Sequence, residues 1–148
     1  LRDLLNLNDK SLIPLSEEIN ISKRYLDIMA LRFSDDLKIS INVEKGIENV
    51  QVPSLILLPI IENSIKHGYS YDITSLKVDL TIFKKDKKIT FKISNNGAPL
   101  NLKSKKYGNG VQNTIDRLII LYNKNYIYSM ENTKNNNGVI TTIIIPAE

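Results

Sequence analysis

From Leu55 through Ile61 the chain carries no polar side chain, and the following residues then set Glu62, Asn63, Lys66 and His67 into the same run, PIIENSIKHG at 59–68. On an α-helix, positions 62 and 66, and 63 and 67, lie one turn apart, so a carboxylate, an amide, an ammonium and an imidazole share one face. Leu55, Leu58, Ile61 and Ile65 mark a stripe toward a core, and Ile56, Leu57 and Ile60 leave the helix nearly buried all round. Unpaired polar groups cost roughly several kcal/mol in such a place, so the patch is expected to line a cavity that holds a polar ligand. The plainer alternative is a core helix that ends here, with Lys66 and His67 in solvent at its C-terminal end and Gly68 as the cap. The segment by itself leaves both open.

Composition narrows the setting. A chain of 148 residues with 42% hydrophobic content can bury one core but hardly two. The absence of cysteine removes disulfides, thiolate metal sites and thiol nucleophiles, and fits a reducing interior. The longest apolar run, 55–61, is far short of the roughly 20 residues that span a bilayer, and no basic-then-apolar leader opens the sequence. A net charge of +4 raises the question of nucleic acid. Lys84, Lys85, Lys87 and Lys88 surround an Asp at a predicted hairpin tip, however, and Lys103, Lys105 and Lys106 share a loop. No aromatic residues alternate with these lysines, so solvation is the expected role and no nucleic-acid partner is predicted.

Leu1, Leu4 and Leu5 at helical spacing, with no start signal before them, predict that residues 1–12 are the remnant of a preceding helix and that 13–148 form the domain. Ser16 as N-cap, Glu17 and Glu18 in the first turn, and a stripe of Ile19, Leu26, Ala30 and Phe33 predict a helix over 16–33. Leu37, Ile39, Ile41 and Val43 alternate as a strand, and 46–53 is then a connection. Leu76, Val78, Leu80 and Ile82, followed by Ile89, Phe91 and Ile93, predict an antiparallel hairpin. Val111, Ile115, Leu118, Ile119 and Tyr122 give a third helix, and 126–130 with 139–145 a closing hairpin. This order predicts an α+β two-layer sandwich, with about three helices on one face of a mixed, mostly antiparallel sheet.

Two further segments bear on the polar face. The strand over 88–94 ends in Asn95, Asn96 and Gly97, and Gly108, Asn109 and Gly110 open the third helix. Glycines let backbone approach a ligand closely, and the free N–H groups of a helix N-terminus bind phosphate. Asn113 and Arg117 lie one turn apart on that helix, off its apolar stripe, where a guanidinium is able to reach a phosphate oxygen. Taken singly, each piece is more often a turn or a linker.

Together, PIIENSIKHG, SNNGAP and YGNGVQNTIDRL resemble, in order and spacing, the N, D and G boxes of the Bergerat-type ATP site of the GHKL ATPases. RYLDIMALRF at 24–33, VPSLILLPIIENSIKHG at 52–68, GVQNTIDRL and GVITTIIIP are similar, within that superfamily, to the LytS/YehU-type sensor histidine kinases. The resemblance spans about residues 4–146 and implies the Bergerat ATP-binding fold with ATP and Mg²⁺ as cofactors. Asn63 matches the family's Mg²⁺-binding asparagine, an amide oxygen being a suitable hard ligand. Glu62 matches the acidic residue taken as general base, and Lys66 and His67 match positions beside the phosphates, Lys66 also serving catalysis. Gly108 and Gly110 match the glycines beneath the phosphates, and Asn95, Gly97, Asn109, Asn113 and Arg117 complete the expected nucleotide site. The sequence departs from the family pattern twice. Asn95 stands where an aspartate reads adenine and Pro99 where a second glycine is usual, which predicts weaker nucleotide binding and a stiffer edge to the loop between Gly97 and Gly108.

The resemblance implies the ATP-binding catalytic domain of a bacterial two-component sensor histidine kinase. Such a domain moves the ATP γ-phosphoryl to a histidine on a dimerisation domain N-terminal to this chain, in a homodimer, for relay to a response regulator. It would be the cytoplasmic domain of a membrane-anchored sensor, and His67 is not the expected acceptor. The alternatives are another GHKL ATPase or serine kinase, and a catalytically weak or nucleotide-blind docking module that keeps the fold.

Overall fold

Alternating apolar residues and short turns build most of the molecule. The computed structural model describes residues 12–33, 36–69, 75–97, 99–100, 108–135 and 137–147. In chain order these form β1 (Leu12–Pro14), α1 (Leu15–Phe33), β2 (Leu37–Val43), β3 (Gln51–Pro53), α2 (Leu58–Tyr69), β4 (Leu76–Lys85), β5 (Lys88–Asn95), α3 (Asn109–Tyr122), β6 (Ile127–Asn132) and β7 (Val139–Pro146). Residues 1–11 of the expected helical remnant lie outside the described residues, and Leu12, placed at its end, belongs to β1.

A five-stranded sheet runs in the order β2-β4-β5-β7-β6. β2 and β4 pair in parallel, Leu37 opposite Leu76, across a connection that carries β3 and α2. The remaining pairs are antiparallel, so the sheet is mixed as expected. β4 turns into β5 through Asp86 and Lys87, both at positive φ (53° and 61°), the twist that a two-residue hairpin turn requires. Leu80, Ile82, Phe91, Ile93 and Ile143 form the buried side of the sheet, and the three helices of the described residues cover it.

Several local expectations change. β1 and β3 form a second small ladder, Leu12 opposite Pro53, where a plain connection was expected over 46–53. That ladder brings Val50 and Glu48 to the start of α1, and their carbonyls accept from Leu15 and Ser16 N–H at 2.8 and 3.0 Å. Backbone from a neighbouring segment thus serves the helix start at which a Ser16 side-chain cap was expected. The buried stripe of α1 is Leu15, Ile19, Leu26 and Met29, while Ala30 is exposed. α2 begins only at Leu58. Leu55, Ile56 and Leu57 belong to a turn, with Leu55 at φ 59°, so the predicted helical stripe is shorter by its first residue. Gly68 lies inside α2 and does not cap it.

Candidate functional site

Helix α2 packs against β4, β5 and α3, so the three segments singled out in the sequence meet around it. Its core side is made by Ile60, Ile61 and Ile65, each no more than 2% exposed. The other side carries Glu62 and Asn63, both half-buried, with exposed Lys66 and half-buried His67 one turn on. Lys66 Nζ lies 2.7 Å from Glu62 Oε1. This hydrogen bond, with the charge of Glu62, raises the Lys66 pKa above its ordinary value. On α1, burial and then the charge of Glu62 raise the Tyr25 phenol pKa. Sequence spacing did not assign Tyr25 to the site, because it lies on a different helix, far from Glu62 along the chain.

Asn95 closes β5 and is nearly buried, at 6% exposure. Its Oδ1 accepts from Gly97 N–H at 2.9 Å, a side-chain turn that fixes the amide orientation. Asn96 stitches this corner to the start of β4: its Oδ1 accepts from Lys77 N–H at 2.7 Å, and its Nδ2 donates to the Ser75 carbonyl at 3.2 Å. Gly138, before β7, closes the corner from behind. It has φ +140°, and a Cβ placed on it would sit 1.8 Å from the Asn95 carbonyl oxygen. This close approach went unnoticed in the sequence, where Asn135 to Gly138 read only as a turn.

Gly108 caps α3 in an extended conformation with no side-chain cap bond. A Cβ on Gly108 or Gly110 would meet no described protein atom within 4 Å, so packing among the described residues demands neither glycine. Asn113 is exposed on the first turns of α3, while Arg117, half-buried one turn later, donates to the Ser54 carbonyl ahead of α2. The Asn109 side chain, residue 98 and residues 101–107 lie outside what is described. Among the described residues no group of three or more His, Asp or Glu side chains is placed to hold a metal.

No protein-family model matches the chain. Its sequence is 29% identical over 161 residues to the sensor protein LytS of Oceanobacillus iheyensis, covering 99% of this chain and 27% of that protein. LytS of Bacillus cereus is 26% identical over 147 residues, covering 91% of this chain and 25% of its own length. The fold superposes on the nucleotide-free catalytic domain of histidine kinase ThkA with a TM-score of 0.68, at 18% identity, covering 92% of this chain and 95% of that one. This is a histidine kinase catalytic-domain fold. The same fold in ThkA bound to the response regulator TrrA gives a TM-score of 0.69 at 15% identity, covering 93% of this chain and 42% of that one. The histidine kinase domain of a blue-light activated protein from Erythrobacter litoralis gives 0.68 at 16% identity, covering 90% and 61%. The chain is thus similar in sequence to LytS proteins and has the fold of histidine kinase catalytic domains, and it spans about a quarter of the length of the LytS proteins it matches. No helix among the described residues is long and apolar enough to cross a membrane.

Proposed function

We propose that the chain is the ATP-binding catalytic domain of a two-component sensor histidine kinase. It would transfer the γ-phosphoryl of Mg-ATP to a histidine on a dimerisation domain of the longer protein, for relay to a response regulator. The observation that supports this reading is the packing of α2, which bears Glu62, Asn63, Lys66 and His67, against α3, whose start has no side-chain cap. The first N–H groups of α3 suit phosphate oxygens, and the glycines at 108 and 110 leave room for them. The Asn63 amide oxygen would hold Mg²⁺, whose contribution is to neutralise charge on the phosphates. Lys66 would add positive charge at the transferred group, leaving Glu62 to accept the proton of the attacking histidine. Asn95 would face the base and Asn113 the phosphates. Positioning and electrostatics account for most of the catalysis in such a transfer. In the whole protein the domain would lie on the cytoplasmic side of a membrane-anchored sensor.

Calorimetric titration with ADP and a non-hydrolysable ATP analogue, with and without Mg²⁺, tests the reading on the native chain and on Asn63→Ala. Mg²⁺-dependent binding that the substitution abolishes is expected. A second reading, a nucleotide-blind docking module, draws on Asn95, whose side-chain oxygen is already engaged by Gly97. Absence of binding at millimolar nucleotide would favour it.

A further inference from the structure

Glu18 is wholly buried on α1, 0% exposed, and the nucleotide reading gives it no role. Its Oε1 accepts from Leu55 N–H at 2.8 Å and its Oε2 from Leu57 N–H at 2.9 Å, and the Ile56 N–H adds to the field that favours the carboxylate. The positive φ of Leu55 curls these successive amides around one anion, a backbone nest. Leu57 is where α2 begins in hydrogen-bonding terms, since its carbonyl accepts from Ile61 N–H at 2.9 Å. A side chain on α1 therefore caps α2 at the positive end of its dipole. On the far side of the same turn Arg117 of α3 donates to the Ser54 carbonyl, and its charge faces Glu18. A local Ser or Asn would cap α2 without burying a charge; the long-range carboxylate instead ties α1 to the start of α2, and Arg117 ties α3 to the same turn.

We infer that Glu18 is a positioning residue: with Arg117 it sets α2 against α3, and so aligns the Glu62–Asn63 face with the start of α3. The inference rests on the nucleotide reading of that face. Glu18→Gln keeps the side chain's size and one acceptor oxygen but turns an NH₂ group toward a backbone N–H. Ile145→Val on β7, paired with Ile89 at the end of β5 remote from Asn95, supplies a core control of reduced thermal stability. Amide hydrogen exchange at Leu55, Ile56 and Leu57 is read alongside Mg-ADP affinity. Glu18→Gln is expected to speed exchange at these amides at least about tenfold beyond the control and to raise the Mg-ADP Kd about tenfold, with no such change in Ile145→Val. Glu18→Asp, which keeps the charge on a shorter arm, is expected to fall between and serves if the Gln variant does not fold. Equal exchange in variant and control overturns the clamp. Faster exchange with unchanged Kd overturns the positioning role. If the native chain binds no nucleotide, the nucleotide reading and the positioning role fall together, and the exchange comparison still decides whether Glu18 clamps the turn.

Discussion

Lys66 Nζ and Glu62 Oε1 are 2.7 Å apart, one turn along α2, with the lysine side chain 73% and the glutamate side chain 44% exposed. An ion pair so open to water contributes little to folding, since solvent screens it and two long side chains lose freedom in making it. Its consequence is geometric. The pair keeps the carboxylate and the ammonium together on the face that carries Asn63.

Lys66→Met should therefore leave thermal unfolding unchanged while weakening binding of a non-hydrolysable Mg-ATP analogue about tenfold, because the proposed charge-assisted contact to the γ-phosphate would be lost. Repeating the titration at high salt should shrink the difference between native and variant. An unchanged Kd at low salt would remove Lys66 from the phosphate site.

Asn95→Asp should raise nucleotide affinity about tenfold, because a carboxylate keeps the Gly97 N–H and adds charge assistance toward an amino group. Asn95→Ala leaves that N–H without its acceptor in a buried corner and should cost about 1–3 kcal/mol of stability. Denaturant melts and nucleotide titrations on the two variants separate the structural and ligand contributions.

Gly138→Ala meets two penalties at once, a backbone φ of +140° and a Cβ placed against the Asn95 carbonyl. Strain and overpacking together should destabilise the fold by roughly 2–6 kcal/mol, measured by urea unfolding. Where the variant still folds, nucleotide affinity should drop as well, since β5 must move at Asn95.

Burial pushes the Glu18 carboxyl above 4.5, while the amides of Leu57, Leu55 and Ile56 and the charge of Arg117 pull it back. The folded chain therefore holds this proton more tightly than the unfolded chain does. The stability linked to it is complete below the unfolded value and is lost as pH rises through the higher folded one. Urea melts from about pH 4 to about pH 8, with the non-titrating Glu18→Gln as reference, should show the native chain losing stability relative to the variant as pH rises. A native chain that gains on the variant as pH rises would contradict this direction.

Much of the architecture was legible because it is written in short periods. Alternation in 37–43, 76–82 and 89–93 marked strands, and the spacing of Glu62, Asn63, Lys66 and His67 marked one helical face, which the structure reproduces on α2. The β1–β3 ladder was missed because three residues are too few to show alternation. Arg117 reads in the sequence as a guanidinium able to reach a phosphate oxygen; its Ser54 partner lies 63 residues away.

Glu17 and Glu18 show the division most plainly. By sequence both are first-turn acids suited to a helix dipole, yet one is exposed and the other is fully buried in a nest of amides 37 to 39 residues further along. Local pattern determined where helices and strands form and which polar residues share a face, because those depend on neighbours within a turn or two. Which of two adjacent carboxylates enters the core, which strand pairs in parallel and which glycine must yield to a passing carbonyl were decided only by the tertiary structure. Each depends on segments that meet in space after the chain has crossed the sheet, and no local periodicity encodes that meeting.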